Sequence, residues 1–171
     1  MKLARLGAKR AMFLVVLSMT GIQAALAQPT PGYRAGGILV DAPWSREAPA
    51  GAKRTVGYMR ISNTGSQPDR LVDGTVAATG RFELHRSVTV DGITRMQALA
   101  EGLEIRPGET VEFKPGAMHA MLVDLPRAPK AGDTIKGTLV FERAGPVEIE
   151  YQVGGPGSRS APVMAGHHHH H

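Results

Sequence analysis

From Gly37 onward the chain is written in short runs of alternating apolar and polar residues, each closed by turn formers, and this cadence limits what it can fold into. The runs are "GILVDAPW" (37 to 44), "TVGYMRIS" (55 to 62), "DRLVDGTV" (69 to 76), "RFELHRSVTV" (81 to 90), "ITRMQAL" (93 to 99), "TVEFK" (110 to 114), "HAMLVDL" (119 to 125), "TIKGTLVFE" (134 to 142) and "VEIEYQV" (147 to 153). A period of two puts every second side chain on one face of an extended strand, whereas a helix needs apolar residues three and four apart. Between the runs stand Asn63-Thr64-Gly65, Asp91-Gly92, Pro107-Gly108, Pro115-Gly116 and Ala144-Gly145-Pro146, whose backbone preferences favour turns. Seven to nine strands at this spacing predict an all-β fold, an antiparallel Greek-key sandwich or barrel.

The ends follow different rules. Residues 1–27 open with Lys2, Arg5, Lys9 and Arg10, continue as the apolar run "AMFLVVLSMTGIQAALA" and finish on Ala25-Leu26-Ala27. This is the order of a secretory signal, cleaved after Ala27, and it predicts an exported, periplasmic protein with no membrane span in its mature form. The signal has no acidic residue, so without it the formal charge of +5 falls to +1. A nearly neutral mature chain offers no basic patch for nucleic acid or an anionic membrane. Residues 28–36, "QPTPGYRAGG" with its neighbour Gly37, predict a flexible leader. Residues 37–153 are of single-domain size, and 154–171 predict a disordered tail ending in five histidines. A terminal histidine run has two readings: a purification tag, or a natural tail able to gather copper(II).

Histidine is scarce in the body of the chain. Five of the seven histidines form the terminal run, leaving His85 and His119. If Asp91-Gly92 is the two-residue turn of a hairpin, Val90 faces Ile93, His85 faces Ala98 and Ser87 faces Met96. His85 and Met96 then share a face as diagonal neighbours, about 7–8 Å apart at Cα. In "KPGAMHAMLVDL", His119 and Met121 share one face and Met118 takes the other. Two imidazoles and two thioethers form a soft, uncharged donor set, which suits copper(I) rather than zinc, magnesium or calcium. The competing reading is ordinary packing, since methionine is a routine filler of cores. The absence of cysteine excludes thiolate metal sites, thiol redox chemistry and a cysteine nucleophile. Glu83, Asp91, Glu101 and Glu104 form no recognisable acid pair, and Ser87 has no nucleophile motif around it, so no enzyme is predicted. Trp44, Tyr58, Met59, Phe82, Phe113 and Phe141 are read as packing residues.

The spacing of these four residues resembles that of the periplasmic copper chaperones of the PCuAC family. That family has a histidine, ten residues, a methionine, about twenty-one residues, then His-x-Met. Here ten residues separate His85 from Met96 and twenty-two separate Met96 from His119, the extra one falling in "QALAEGLEI", read as largely loop. The similarity extends over about Ile38 to Val153, through "APWSREAPAGAKRTVGYMRISNTGSQPDRLV" and "LEIRPGETVEFKPGAMHAMLVDL". Family members often carry a methionine just after the first histidine; Arg86 and Ser87 stand there instead.

The resemblance implies a cupredoxin-like fold holding one copper(I) through His85, Met96, His119 and Met121. It also implies delivery to the copper centre of cytochrome c oxidase subunit II, together with a Sco-type copper/thiol protein; a monomer is expected. Two other classes compete. An electron-transfer cupredoxin requires the cysteine thiolate that this chain lacks, and a metal-free interaction or adhesion sandwich would gain no stability from copper.

Overall fold

The computed structural model describes residues 32–77 and 79–162; the signal sequence and the end of the tail, with its histidine run, lie outside the described residues. Within them the protein is all-β, with eleven strands and no helix. The strands are β1 (Tyr33–Ala35), β2 (Ile38–Arg46), β3 (Thr55–Asn63), β4 (Asp69–Val76), β5 (Gly80–Val90), β6 (Ile93–Ala98), β7 (Leu103–Ile105), β8 (Thr110–Phe113), β9 (Met118–Val123), β10 (Thr134–Phe141) and β11 (Gly145–Gly154).

Eight of them close on themselves in the order β5-β9-β8-β3-β2-β11-β10-β4, with β4 pairing back to β5 through Thr75–Arg81 and Val76–Gly80. Closure removes the exposed hydrogen-bonding edges that an open sheet would present. β1, β6 and β7 are appended to β2, β5 and β4. Pairing is antiparallel except where β11 runs alongside β2, and at the single Phe113–Met118 contact of β8 with β9.

The alternation read from the sequence becomes an inside and an outside. Phe82 and Leu84 of β5, Ala120 and Leu122 of β9, and Met59 and Ile61 of β3 point into a core completed by Leu71, Phe113, Leu139, Phe141, Ile149 and Tyr151. Each fully buried aliphatic or aromatic side chain contributes roughly 1.5–3 kcal/mol by leaving water. Trp44 and Tyr58 are also buried but lie apart from this cluster, their rings 4.5 Å apart across β2 and β3. A β-bulge between Asp41 and Trp44 makes that possible: one extra residue on β2 turns the strand, with Ala42 at φ 46°.

Some expectations need correction. The described residues hold eleven strands rather than seven to nine. Tyr33–Ala35, expected in a flexible leader, pairs with Ile38–Val40 as a hairpin. Leu103–Ile105, expected in a loop, pairs with Asp69–Leu71 and buries Leu103 and Ile105. Both strands have three residues, too few for a period to declare itself. The first part of the tail is also held: Glu47 N–H donates to Gly154 O at 2.8 Å and Arg46 Nε to Ser158 O at 2.9 Å.

Candidate metal centre

The hairpin β5–β6 sets the first half of the site. Asp91 and Gly92 both have positive φ, 50° and 77°, as a type I′ turn requires. This fixes the register: His85 faces Ala98, Ser87 faces Met96 and Val90 faces Ile93. The small Ala98 leaves space beside His85, a cleft of about 250 Å³ also lined by Val72, Glu83 and Leu99.

The second half is the neighbouring strand. β9 pairs with β5 so that His119 lies directly opposite His85, Met121 opposite Glu83 and Met118 opposite Arg86. The imidazoles stack with centroids 5.9 Å apart and planes 15° from parallel. His119 is only 6 % exposed. Met96 is 64 % exposed, yet its sulfur Sδ lies 3.3 Å from His119 Nε2. Met121 is placed by register alone, one same-face position beyond His119 and level with Glu83. The two methionines therefore stand on opposite sides of the histidine pair along the strand direction. Met118, on the other face, packs against the core.

The protonation of His119 follows from its partners. Its Nδ1 lies 3.1 Å from the carbonyl oxygen of Ala117, which can only accept, so Nδ1–H donates and Nε2 keeps its lone pair. The Nε2–Sδ approach then brings together two electron-pair donors with no proton between them. Two such donors sharing one ion, at roughly 2.0–2.3 Å each and near-tetrahedral angles, would stand about 3.5 Å apart. The observed separation is close to that. Among the described residues no group of three or more His, Cys, Asp or Glu side chains converges to hold a metal; the side chain that meets His119 Nε2 is the thioether of Met96. That set fits a soft ion such as copper(I).

Sequence reasoning missed Glu83. Its carboxylate Oε2 lies 3.4 Å from His85 Nε2, its Oε1 lies 3.4 Å from Arg81 Nη1, and Arg81 Nε donates to Asp124 at 2.8 Å. The Asp124 carboxylate, chiefly, raises the already high pKa of Arg81. The signal for Glu83 was present in the two-residue alternation, which puts Glu83 and His85 on one face. Its partner is the histidine rather than a second carboxylate.

The LpqE-like family model, "Putative lipoprotein LpqE-like", matches residues 38–153, from the start of β2 almost to the end of β11. The chain belongs to the LpqE-like family. It is similar to the "Putative lipoprotein Lxx21020" of Leifsonia xyli subsp. xyli, with 34% identity over 129 residues, covering 74% of this chain and 76% of that one. Among solved structures it resembles the "Copper-bound PCuAC domain from PmoF2", with a TM-score of 0.62 and 29% identity, over 74% of this chain and 100% of that one. It likewise resembles the "Apo PCuAC domain from PmoF1", with a TM-score of 0.61 and 28% identity, over 74% and 100%. The structural neighbours of this LpqE-like chain are thus PCuAC domains, and its fold is the cupredoxin-like barrel. Among the described residues no helix is long and apolar enough to cross a membrane.

Proposed function

We propose that this protein is an exported carrier of copper(I), which it binds through His85, Met96, His119 and Met121 and passes to the copper centre of cytochrome c oxidase. The observation that carries the reading is the pairing of the His119 Nε2 lone pair with Met96 Sδ, 3.3 Å apart, beside the stacked ring of His85. The copper held by the similar PmoF2 domain supports it. Neutral donors suit a carrier, because an ion held without thiolate or carboxylate charge can be surrendered by stepwise ligand exchange. The exposed Met96 is the natural first ligand to leave. The recipient is the subunit II copper site, with a Sco-type protein supplying thiol chemistry that a chain without cysteine cannot perform. The signal directs export to the periplasm and is cleaved after Ala27, and the carrier acts as a monomer without catalytic groups. The terminal histidines, with imidazole alone, suit copper(II).

The test is a copper(I) titration against a competing chelator, using the protein with His167 to His171 replaced by serine so that only the folded site reports. One copper(I) per chain is expected, with both nitrogen and sulfur in its X-ray absorption shell. Stoichiometric binding that survives His119→Ala combined with Met121→Ala would defeat the reading.

A further inference from the structure

His85 differs from His119 in one respect that bears on which atom binds the ion. His119 gives its Nδ1 proton to a backbone carbonyl, leaving Nε2 free. In His85 the polarity is reversed. Glu83 Oε2 lies 3.4 Å from Nε2, a long hydrogen bond, and an ionised carboxylate can only accept, so Nε2 carries the proton and Nδ1 the lone pair. That Nδ1 is buried and has no hydrogen-bond partner. Buried polar atoms are almost always partnered, so an orphan acceptor beside a donor cluster calls for an occupant.

Register places the carboxylate. Glu83 precedes His85 by two residues on β5, whereas Ser87, which faces Met96, follows it by two. Glu83 therefore stands on the side of His85 away from Met96 along the strand, and Nδ1 is the ring nitrogen it leaves free.

We infer that Glu83 is a positioning residue that makes His85 a ligand through Nδ1 while His119 binds through Nε2. This rests on the copper-carrier reading above. A carboxylate on the far nitrogen of a metal-binding imidazole fixes its tautomer and ring orientation and raises its basicity. Arg81 holds the other oxygen of Glu83 and is itself tied to Asp124, so the carboxylate is braced from the side away from the ion.

The experiment is long-range proton–nitrogen NMR of the full chain labelled at histidine, each imidazole being assigned by correlation to its own backbone amide. Without metal, His85 is expected as the Nε2–H tautomer and His119 as the Nδ1–H tautomer. Adding copper(I) should shift the nitrogen signals of His85 Nδ1 and His119 Nε2. Glu83→Ala should abolish the His85 tautomer preference and weaken copper(I) about 10–100-fold, while Glu83→Gln, whose amide oxygen still accepts from Nε2–H, should restore the tautomer. Ligation of His85 through Nε2, or an unchanged tautomer in Glu83→Ala, would overturn the inference and leave the carrier reading standing. Copper(I) that shifts neither folded imidazole would overturn both.

Discussion

Met96 and Met118 have opposite structural duties, and separating them is the sharpest test of the site. Met96 is 64 % exposed on β6, whose residues are all exposed, so Met96→Ala removes almost no packing. Its expected effect on the stability of the metal-free protein is within about 0.5 kcal/mol. Met118 is partly buried against the core. Met118→Ala should cost about 1–2 kcal/mol, below the 2–5 kcal/mol of a fully buried methionine. For a domain of this size, each kcal/mol moves Tm by about 3–5 °C. Copper(I) reverses the ranking. Buffered at one hundred times its Kd, it should stabilise the unmodified site by about 2.7 kcal/mol, or about 10 °C. If losing Met96 weakens binding about a hundredfold, the same free copper equals one Kd, and only about 0.4 kcal/mol, near 2 °C, is left. Met118→Ala should start from a lower Tm and keep the full copper shift. The assay is thermal unfolding with and without chelator-buffered copper(I), with the terminal histidines replaced by serine. A full copper shift in Met96→Ala, or its loss in Met118→Ala, would show that the face assignment is wrong.

Other consequences follow from the barrel. The Tyr151 hydroxyl is fully buried without a partner, and burial raises its pKa strongly, so Tyr151→Phe should hold or raise stability by about 1 kcal/mol in urea unfolding; a clear loss would mean the hydroxyl has a partner. At Gly80, where β4 closes onto β5, an added Cβ would stand 2.5 Å from Val76 O and 2.7 Å from Val123 O, so Gly80→Ala should destabilise by about 1–3 kcal/mol in the same assay. Asp133 accepts hydrogen bonds from Arg127 Nη1 at 2.6 Å and from Lys130 N–H at 2.8 Å, first of all the Arg127 bond, which holds its carboxyl below its ordinary 3.8. A depressed folded-state pKa stabilises above 3.8 and is lost as pH falls through the folded value; Asp133→Asn should therefore flatten the acid limb of stability against pH, and an unchanged limb would refute this.

Much of the candidate site was legible because its first half is local. Asp91-Gly92 specifies a tight turn by backbone sterics, and the turn alone sets the register that places Met96 diagonally from His85. The face of each residue is likewise a matter of parity along a strand, which is why Met118 and Met121 could be separated before any fold was known. Parity fails where the chain breaks it, at the bulge that turns Trp44 out of the main core and at the register shift of β4 against β10 between Leu71 and Asp73, and where strands are too short to show it, at Tyr33–Ala35 and Leu103–Ile105.

What the sequence by itself determined was the strand character, the turn and the soft donor chemistry of two imidazoles and two thioethers. Only the tertiary structure decided that β9 lies beside β5, so that His85 faces His119 and the methionines stand on opposite sides of the pair. It also gave the two rings different partners, the Ala117 carbonyl at His119 Nδ1 and Glu83 at His85 Nε2. The physical reason is that alternation and turn geometry act between residues close in the chain, whereas strand adjacency is chosen by burial of the whole barrel core, a sum over contacts that no single run encodes.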